Sequence, residues 1–190
     1  MDWLRTSVEE CVKCPLKHRN YVSPRASYAK SPIMFVGEAP GFVEDEKGFV
    51  FVGRSGHLLD SWINYLGIKD YYITNTVKHH PGEPSTNETP TSEMIYYCKP
   101  YLLTEISTIK PKLLFLMGEV ATSALFPINS SSQTKLIMVS LNKEHGLEYD
   151  GIPTLISYHP AYFVRRGISI ADEEMRTYLD QYKPVMNKVI

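Results

Sequence analysis

The sequence predicts an α/β fold, a three-layer sandwich with helices on both faces of a central, mainly four-stranded parallel sheet. Three observations carry the prediction. Short apolar runs rich in β-branched and aromatic residues recur at 33–36, 71–74, 112–117 and 153–157. Segments with helical periodicity separate them, the pattern of parallel strands joined by crossover helices. The chain has 190 residues, 43% apolar and 22% charged, which suits one filled core and is too hydrophobic for a disordered chain. Residues 1–190 are therefore expected to form a single domain.

Each element follows from its own residues. A glycine-rich stretch follows the first run and leads to a helix after Arg54, with Leu58, Leu59, Trp62, Ile63 and Leu66 facing inward and Gly67 ending it. After the second run, 80–88 is dense in Pro, Gly, Ser and Asn and reads as a loop. Thr89, Pro90 and Thr91 signal the start of the clearest helix, on which Met94, Tyr97, Cys98, Tyr101, Leu102 and Ile106 recur every three or four residues. The third run follows. The stretch 129–132 is a short Asn/Ser-rich loop, and beyond the fourth run a helix from about Ala171 carries Met175, Tyr178, Leu179 and Tyr182.

Composition excludes several function classes. Twenty Lys and Arg against 21 Asp and Glu give a formal charge of −1, so any nucleic acid must be bound by local geometry, not by a global basic field. The apolar runs are far shorter than the roughly 20 residues that span a bilayer. The first residues carry Asp2, Arg5, Glu9 and Glu10 and do not read as a secretory signal, so a cytoplasmic location is expected. A monomer is the expected state. Three cysteines, an odd number, argue for reduced thiols or metal ligands rather than a disulfide framework.

The residues with chemistry gather after the carboxyl ends of the expected strands, where parallel sheets place their sites. Gly37-Glu38-Ala39-Pro40-Gly41, Glu44-Asp45, Gly48 and Phe51-Val52-Gly53-Arg54-Ser55-Gly56 follow the first strand. The glycines permit close approach of backbone to a ligand, and the amides of Ser55 and Gly56 at a helix start suit a phosphate. The spacing matches neither the P-loop nor the dinucleotide fingerprint. Asn75 ends the second strand and His159 follows the fourth, placed to converge with Glu38 and Glu44. An amide offers a donor and an acceptor side by side, complementary to the edge of a pyrimidine. Singly, each of these residues also reads as an ordinary glycine-rich connection or a satisfied polar side chain. Cys11-Val12-Lys13-Cys14 with Cys98 supplies three thiolates that want a fourth ligand for zinc or an iron-sulfur cluster.

Taken together, Gly37 to Gly41, Glu44-Asp45, Gly48, the stretch from Phe51 to Asp60, Tyr72-Ile73-Thr74-Asn75 and His159-Pro160-Ala161 resemble the family 4 uracil-DNA glycosylases, iron-sulfur enzymes of the uracil-DNA glycosylase superfamily. The resemblance runs in order from Cys11 to about Arg166. It implies a uracil-DNA glycosylase-like fold and a monofunctional DNA repair hydrolase that flips uracil out, hydrolyses its N-glycosidic bond and leaves an abasic site. Phe51 is then similar to the aromatic platform under the base, Asn75 to the reader of its edge, and His159 to the histidine that supports the departing base at O2. Gly37 and Ala39 border the base. Glu38, Glu44 and Asp45 stand, as a group, where the family crowds out the thymine methyl and influences the sugar cation or attacking water. Ala161-Tyr162-Phe163-Val164-Arg165-Arg166 resembles the wedge loop that fills the vacated stack, and reads equally as a helix N-terminus whose aromatics, Tyr162 and Phe163, face the core. Arg54, Lys78, Arg165 and Arg166 are the expected phosphate contacts, with Ser55, Gly56 and Tyr162 also on the DNA side.

The family's 4Fe-4S cluster is held by four cysteines. Cys11, Cys14 and Cys98 occupy three of those places and His79 stands in the fourth, so the resemblance implies a Cys3His cluster, with His80 the fallback ligand. Imidazole ligation of iron has a precedent in Rieske centres. The same change resembles a subgroup that is trapped covalently on uracil-DNA, but 80–93 lacks that subgroup's basic run and further histidine, so turnover is expected. The expected partner is uracil-containing DNA, single- or double-stranded. The competing reading is a non-catalytic uracil-DNA or single-stranded DNA binding protein on the same fold, or a metal-stapled scaffold that only binds a partner. Glu38, Phe51, Asn75 and His159 occurring together favour the enzyme. A zinc deaminase is excluded because its H-x-E and P-C-x-x-C signature is missing.

Overall fold

The computed structural model describes residues 2–16, 19–27, 31–83, 85–127 and 147–189. The expected loop at 129–132 lies outside the described residues. The four expected strands form the middle of the sheet: β2 (Ile33–Gly37), β3 (Tyr71–Asn75), β4 (Leu113–Met117) and β6 (Ile152–Ser157), all parallel. Two short antiparallel strands extend it at the edges, β1 (Arg25–Ala26) against β3 and β5 (Leu147–Tyr149) against β6. The resulting order is β1-β3-β2-β4-β6-β5. The sheet thus has six strands; runs of two and three residues are too short to show a period in the sequence.

The described helices are α1 (Asp2–Glu9), α2 (Phe42–Lys47), α3 (Arg54–Tyr65), α4 (Ser92–Ile109), α5 (Glu119–Leu125), α6 (Pro160–Arg166), α7 (Glu173–Asp180) and α8 (Lys183–Met186). Thr91 caps α4 by accepting a hydrogen bond from the Met94 amide, and Gly67 follows α3 at φ 70. The last expected helix is divided, ending at Asp180, with Tyr182 at the N-cap of α8.

The sheet is buried on both faces, which is why its strands read as unbroken apolar runs. Alternate residues feed two cores. Ile33, Phe35 and Phe115 pack with Leu59, Trp62 and Ile63 of α3 and with Met175 and Leu179 of α7. Met34, Val36, Leu114 and Leu116 pack with Leu102 and Ile106 of α4 and with Ala121 and Ala124 of α5. That arrangement is the three-layer sandwich expected. From β2 the chain moves outward to β3 and returns on the other side of β2 to β4. The register Gly37↔Asn75 and Met117↔Ser157 brings the carboxyl ends of the strands to one rim at this reversal.

Candidate active site

The rim holds a cavity of about 610 Å³ bordered by Glu38, Ala39, Phe51, Asn75, His159 and Arg165, among others. Gly37, at the end of β2, lies against both Phe51 and Asn75. A Cβ there would lie 2.5 Å from Phe51 Cζ and closer still to Asn75 Oδ1, so only glycine lets the ring and the amide meet. The Phe51 and His159 rings lie 5.7 Å apart, inclined by 31°. Phe51 is 5% and Asn75 2% exposed. Asn75 Oδ1 has no hydrogen-bond partner among the described residues. A buried acceptor without a donor is costly unless a ligand supplies one.

Each side chain is fixed by its neighbours. Phe51 sits at φ 54, a left-handed conformation that is uncommon for a bulky residue. Arg25 holds it there, donating from Nη1 to the Phe51 carbonyl at 2.5 Å and from Nη2 to Asp60 Oδ1 at 2.8 Å. Gly56 makes room for that carbonyl, which a Cβ would overlap. Glu44 Oε1 accepts the amides of Val52 at 3.0 Å and Gly53 at 2.7 Å, tying α2 to the platform loop. His159 caps α6: its Nδ1 accepts the Ala161 amide at 3.2 Å, which assigns the ring proton to Nε2. Burial and then the charge of Arg165 push the imidazole down to about 4, so the ring is neutral near pH 7. Burial raises the Glu38 carboxyl, against the pull of a Thr89 hydrogen bond and of Arg165.

The structure separates the three candidate carboxylates. Glu38 borders the cavity, Glu44 borders it while holding the platform loop, and Asp45 does not line it; Asp45 Oδ1 is buried without a hydrogen-bond partner among the described residues. Arg54, Ser55 and Arg165 border the mouth, and Gly56 lies behind Phe51. Because Glu44 already places a carboxylate at the start of α3, a phosphate there would meet a like charge.

One expectation changes. Lys78 is 2% exposed and ion-paired with buried Glu105, so it cannot reach a DNA phosphate. The 161–166 segment is helix α6, the second of its two readings, and Phe163 is buried in the core at 3% exposure. Tyr162 stacks on Tyr158 at 4.6 Å and takes a hydrogen bond from exposed Arg166 at 3.0 Å. Arg25 and Glu105 escaped sequence reading because nothing local marks them, and Asp60 closes a recognised motif without a role read for it; their partners lie 26 to 35 residues away.

A model of the Uracil DNA glycosylase superfamily matches residues 24–183. This chain belongs to that superfamily. Its similarity within it is to the type-4 uracil-DNA glycosylases. That of Pyrobaculum aerophilum is 36% identical over 172 residues, 86% of this chain and 84% of the relative. That of Saccharolobus solfataricus is 37% identical over 171 residues, 85% and 76% of the two chains. That of Thermotoga maritima is 34% identical over 171 residues, 87% and 83%.

Cys11 and Cys14 precede the residues matched by the uracil-DNA glycosylase model. In this family member Cys14 and Cys98 are buried together with Leu16 and Val77, and Cys11 is partly exposed; all three thiols are free. Burial raises the Cys98 thiol, with a Lys78 backbone hydrogen bond opposing and the charges of Cys14 and Cys11 adding to it, so the three sulfurs share one neighbourhood. His79 is 3% exposed and its Nδ1 has no hydrogen-bond partner among the described residues; the charge acting on it is that of Asp45. His80 Nε2 lies 2.9 Å from the Thr86 carbonyl; donation there leaves Nδ1 as the ring nitrogen with a free lone pair. Among the described residues no three His, Cys, Asp or Glu side chains gather closely enough to hold one metal ion. A cluster of several irons, each with its own protein ligand, does not require them to. Three free thiols and a buried imidazole whose Nδ1 has no hydrogen-bond partner among the described residues fit such a group in donor type. No described helix is long and apolar enough to cross a membrane.

Proposed function

We propose that this chain is a monofunctional uracil-DNA glycosylase that turns uracil out of DNA, hydrolyses its N-glycosidic bond and leaves an abasic site. The observation that carries the reading is the meeting of Phe51, Asn75 and His159 around one slot, with the Asn75 acceptor buried and unpartnered. Uracil stacked on Phe51 presents its 3-NH to Asn75 Oδ1 and its O4 to the amide NH2, and its O2 faces His159 Nε2–H. Cytosine carries no proton at N3 and an amino group at position 4, so it inverts both contacts. A site whose buried polar groups are left unpaired rejects the wrong ligand strongly.

Cleavage of the bond between C1′ and N1 sends the electron pair into the base, leaving a sugar cation and a uracil anion. The neutral imidazole stabilises charge at O2 by a fixed hydrogen bond, and its depressed basicity suits a donor that does not give up its proton. Water adds to C1′ and its proton leaves towards Glu38, the cavity carboxylate whose basicity is raised by burial. The enzyme works on single- or double-stranded uracil-DNA as a cytoplasmic monomer. Arg54, Arg165 and Arg166 face phosphate, and one continuous sheet supports reading the chain as a single domain. Cys11, Cys14, Cys98 and His79 would hold a 4Fe-4S cluster, which supplies a structural clasp for the N-terminal segment and the loop after Lys78.

The test is incubation with a labelled oligonucleotide containing one deoxyuridine, followed by alkali. A break at that position, absent for a thymidine control, is expected. Binding without any abasic site would leave a uracil-DNA binding protein in place of an enzyme.

A further inference from the structure

The most buried ion pair among the described residues has no part in the mechanism above. Lys78 and Glu105 are ion-paired with side chains 2% and 0% exposed. Every proton of the ammonium is used: Lys78 Nζ donates to Glu105 Oε2, to Thr74 Oγ1 at 2.9 Å and to the Asn75 carbonyl at 2.6 Å. Glu105 Oε1 in turn accepts the hydroxyls of Tyr72 at 2.8 Å and Thr74 at 2.9 Å. Three of the five residues of β3 are therefore held by one ion pair, whose carboxylate comes from α4. The Asn75 carbonyl lies at the very end of β3, beyond the point where β1 stops pairing at Ile73. A buried carbonyl there needs a donor.

A buried ion pair is rarely required for stability, since apolar residues of similar volume often serve as well. What this pair adds is a fixed position for Asn75. We propose that Lys78 and Glu105 are positioning residues that lock the end of β3, so that the Asn75 amide is already aimed when uracil arrives. The inference rests on the glycosylase reading and assigns these two residues to base recognition through Asn75.

The test compares single-turnover release rates and DNA affinity for four proteins: wild type, the double variant Lys78→Met/Glu105→Leu, Asn75→Ala, and the triple combination. The double variant removes both charges while keeping side-chain volume. It is expected to fold, to bind uracil-free DNA with unchanged affinity, and to release uracil at least about 10-fold more slowly, the scale of loss that follows a small misplacement of a reacting group. In the Asn75→Ala background the same two changes should have no further effect. A folded double variant as fast as wild type overturns the proposal, as does an equal loss in the Asn75→Ala background. Should the double variant not fold, Glu105→Gln takes its place in the same cycle and is read by the same criteria. A wild-type protein that releases no uracil removes the glycosylase reading itself, whereas an active wild type with an unaffected variant removes this inference alone.

Discussion

In the proposed reaction selectivity depends on Asn75. Its side chain is buried and its acceptor is unpartnered, so Asn75→Ala should leave the fold intact and slow uracil release by at least about 100-fold, as removal of one preorganised hydrogen-bonding group does elsewhere. Single-turnover cleavage and a melting curve check both halves of that statement. His159 makes a pH prediction. In the unfolded chain its ring takes a proton near 6.5, whereas the native ring refuses one until about 4, so native stability falls as pH drops through that window and is fully present above it. Melting temperatures of wild type should decline more steeply between these values than those of His159→Asn; parallel slopes would contradict the assignment. The convergence of Phe51, Asn75 and His159 was legible in the sequence because Asn75 and His159 sit in short motifs at strand ends and Phe51 in the glycine-rich run before α3. The fate of Lys78 was not, because its partner Glu105 is 27 residues further on, on another element.

At the scale of elements, the platform loop is held by contacts between segments rather than by its own propensity. Phe51 occupies φ 54 because Arg25 grips its carbonyl and Asp60 grips Arg25. Arg25→Met should lower stability by about 1–2 kcal/mol, the range of a partly exposed charge-assisted hydrogen bond, and should lower the melting temperature by several degrees. An unchanged melting curve would show that the loop keeps its shape alone. Glu105→Leu without a change at Lys78 leaves a buried ammonium unpaired and should destabilise by about 3–5 kcal/mol, measurable by denaturant titration. The four parallel strands were legible because burial on both faces makes them continuous apolar runs. The edge strands, of two and three residues, were not. The stretch 161–166 reads both as a DNA-facing wedge and as a helix start; in α6 helical spacing turns Phe163 inward and leaves Arg165 and Arg166 outside.

For the whole molecule, the reversal of the sheet at β2 brings the strand ends that carry Gly37 and Asn75 to one rim, and His159 follows β6 to the same place. The thiols lie beside this rim, since Val77 and Cys98 share a cluster next to the loop that leaves β3. Anaerobically purified protein should be brown, absorb near ~400 nm and contain iron. Cys98→Ser should lose that iron, because thiolates are the ligands. DNA affinity should fall with added salt, and Arg165→Gln should make that dependence shallower, since a protein that neutralises fewer phosphates releases fewer counterions on binding. The central claim concerns one slot and one base, and a crystal structure of the protein with abasic DNA and free uracil tests it most directly. The predicted result is a uracil ring stacked on Phe51, with its 3-NH and O4 on the Asn75 amide and its O2 on His159 Nε2. Uracil bound elsewhere, or in the slot with neither Asn75 nor His159 touching it, would contradict the account.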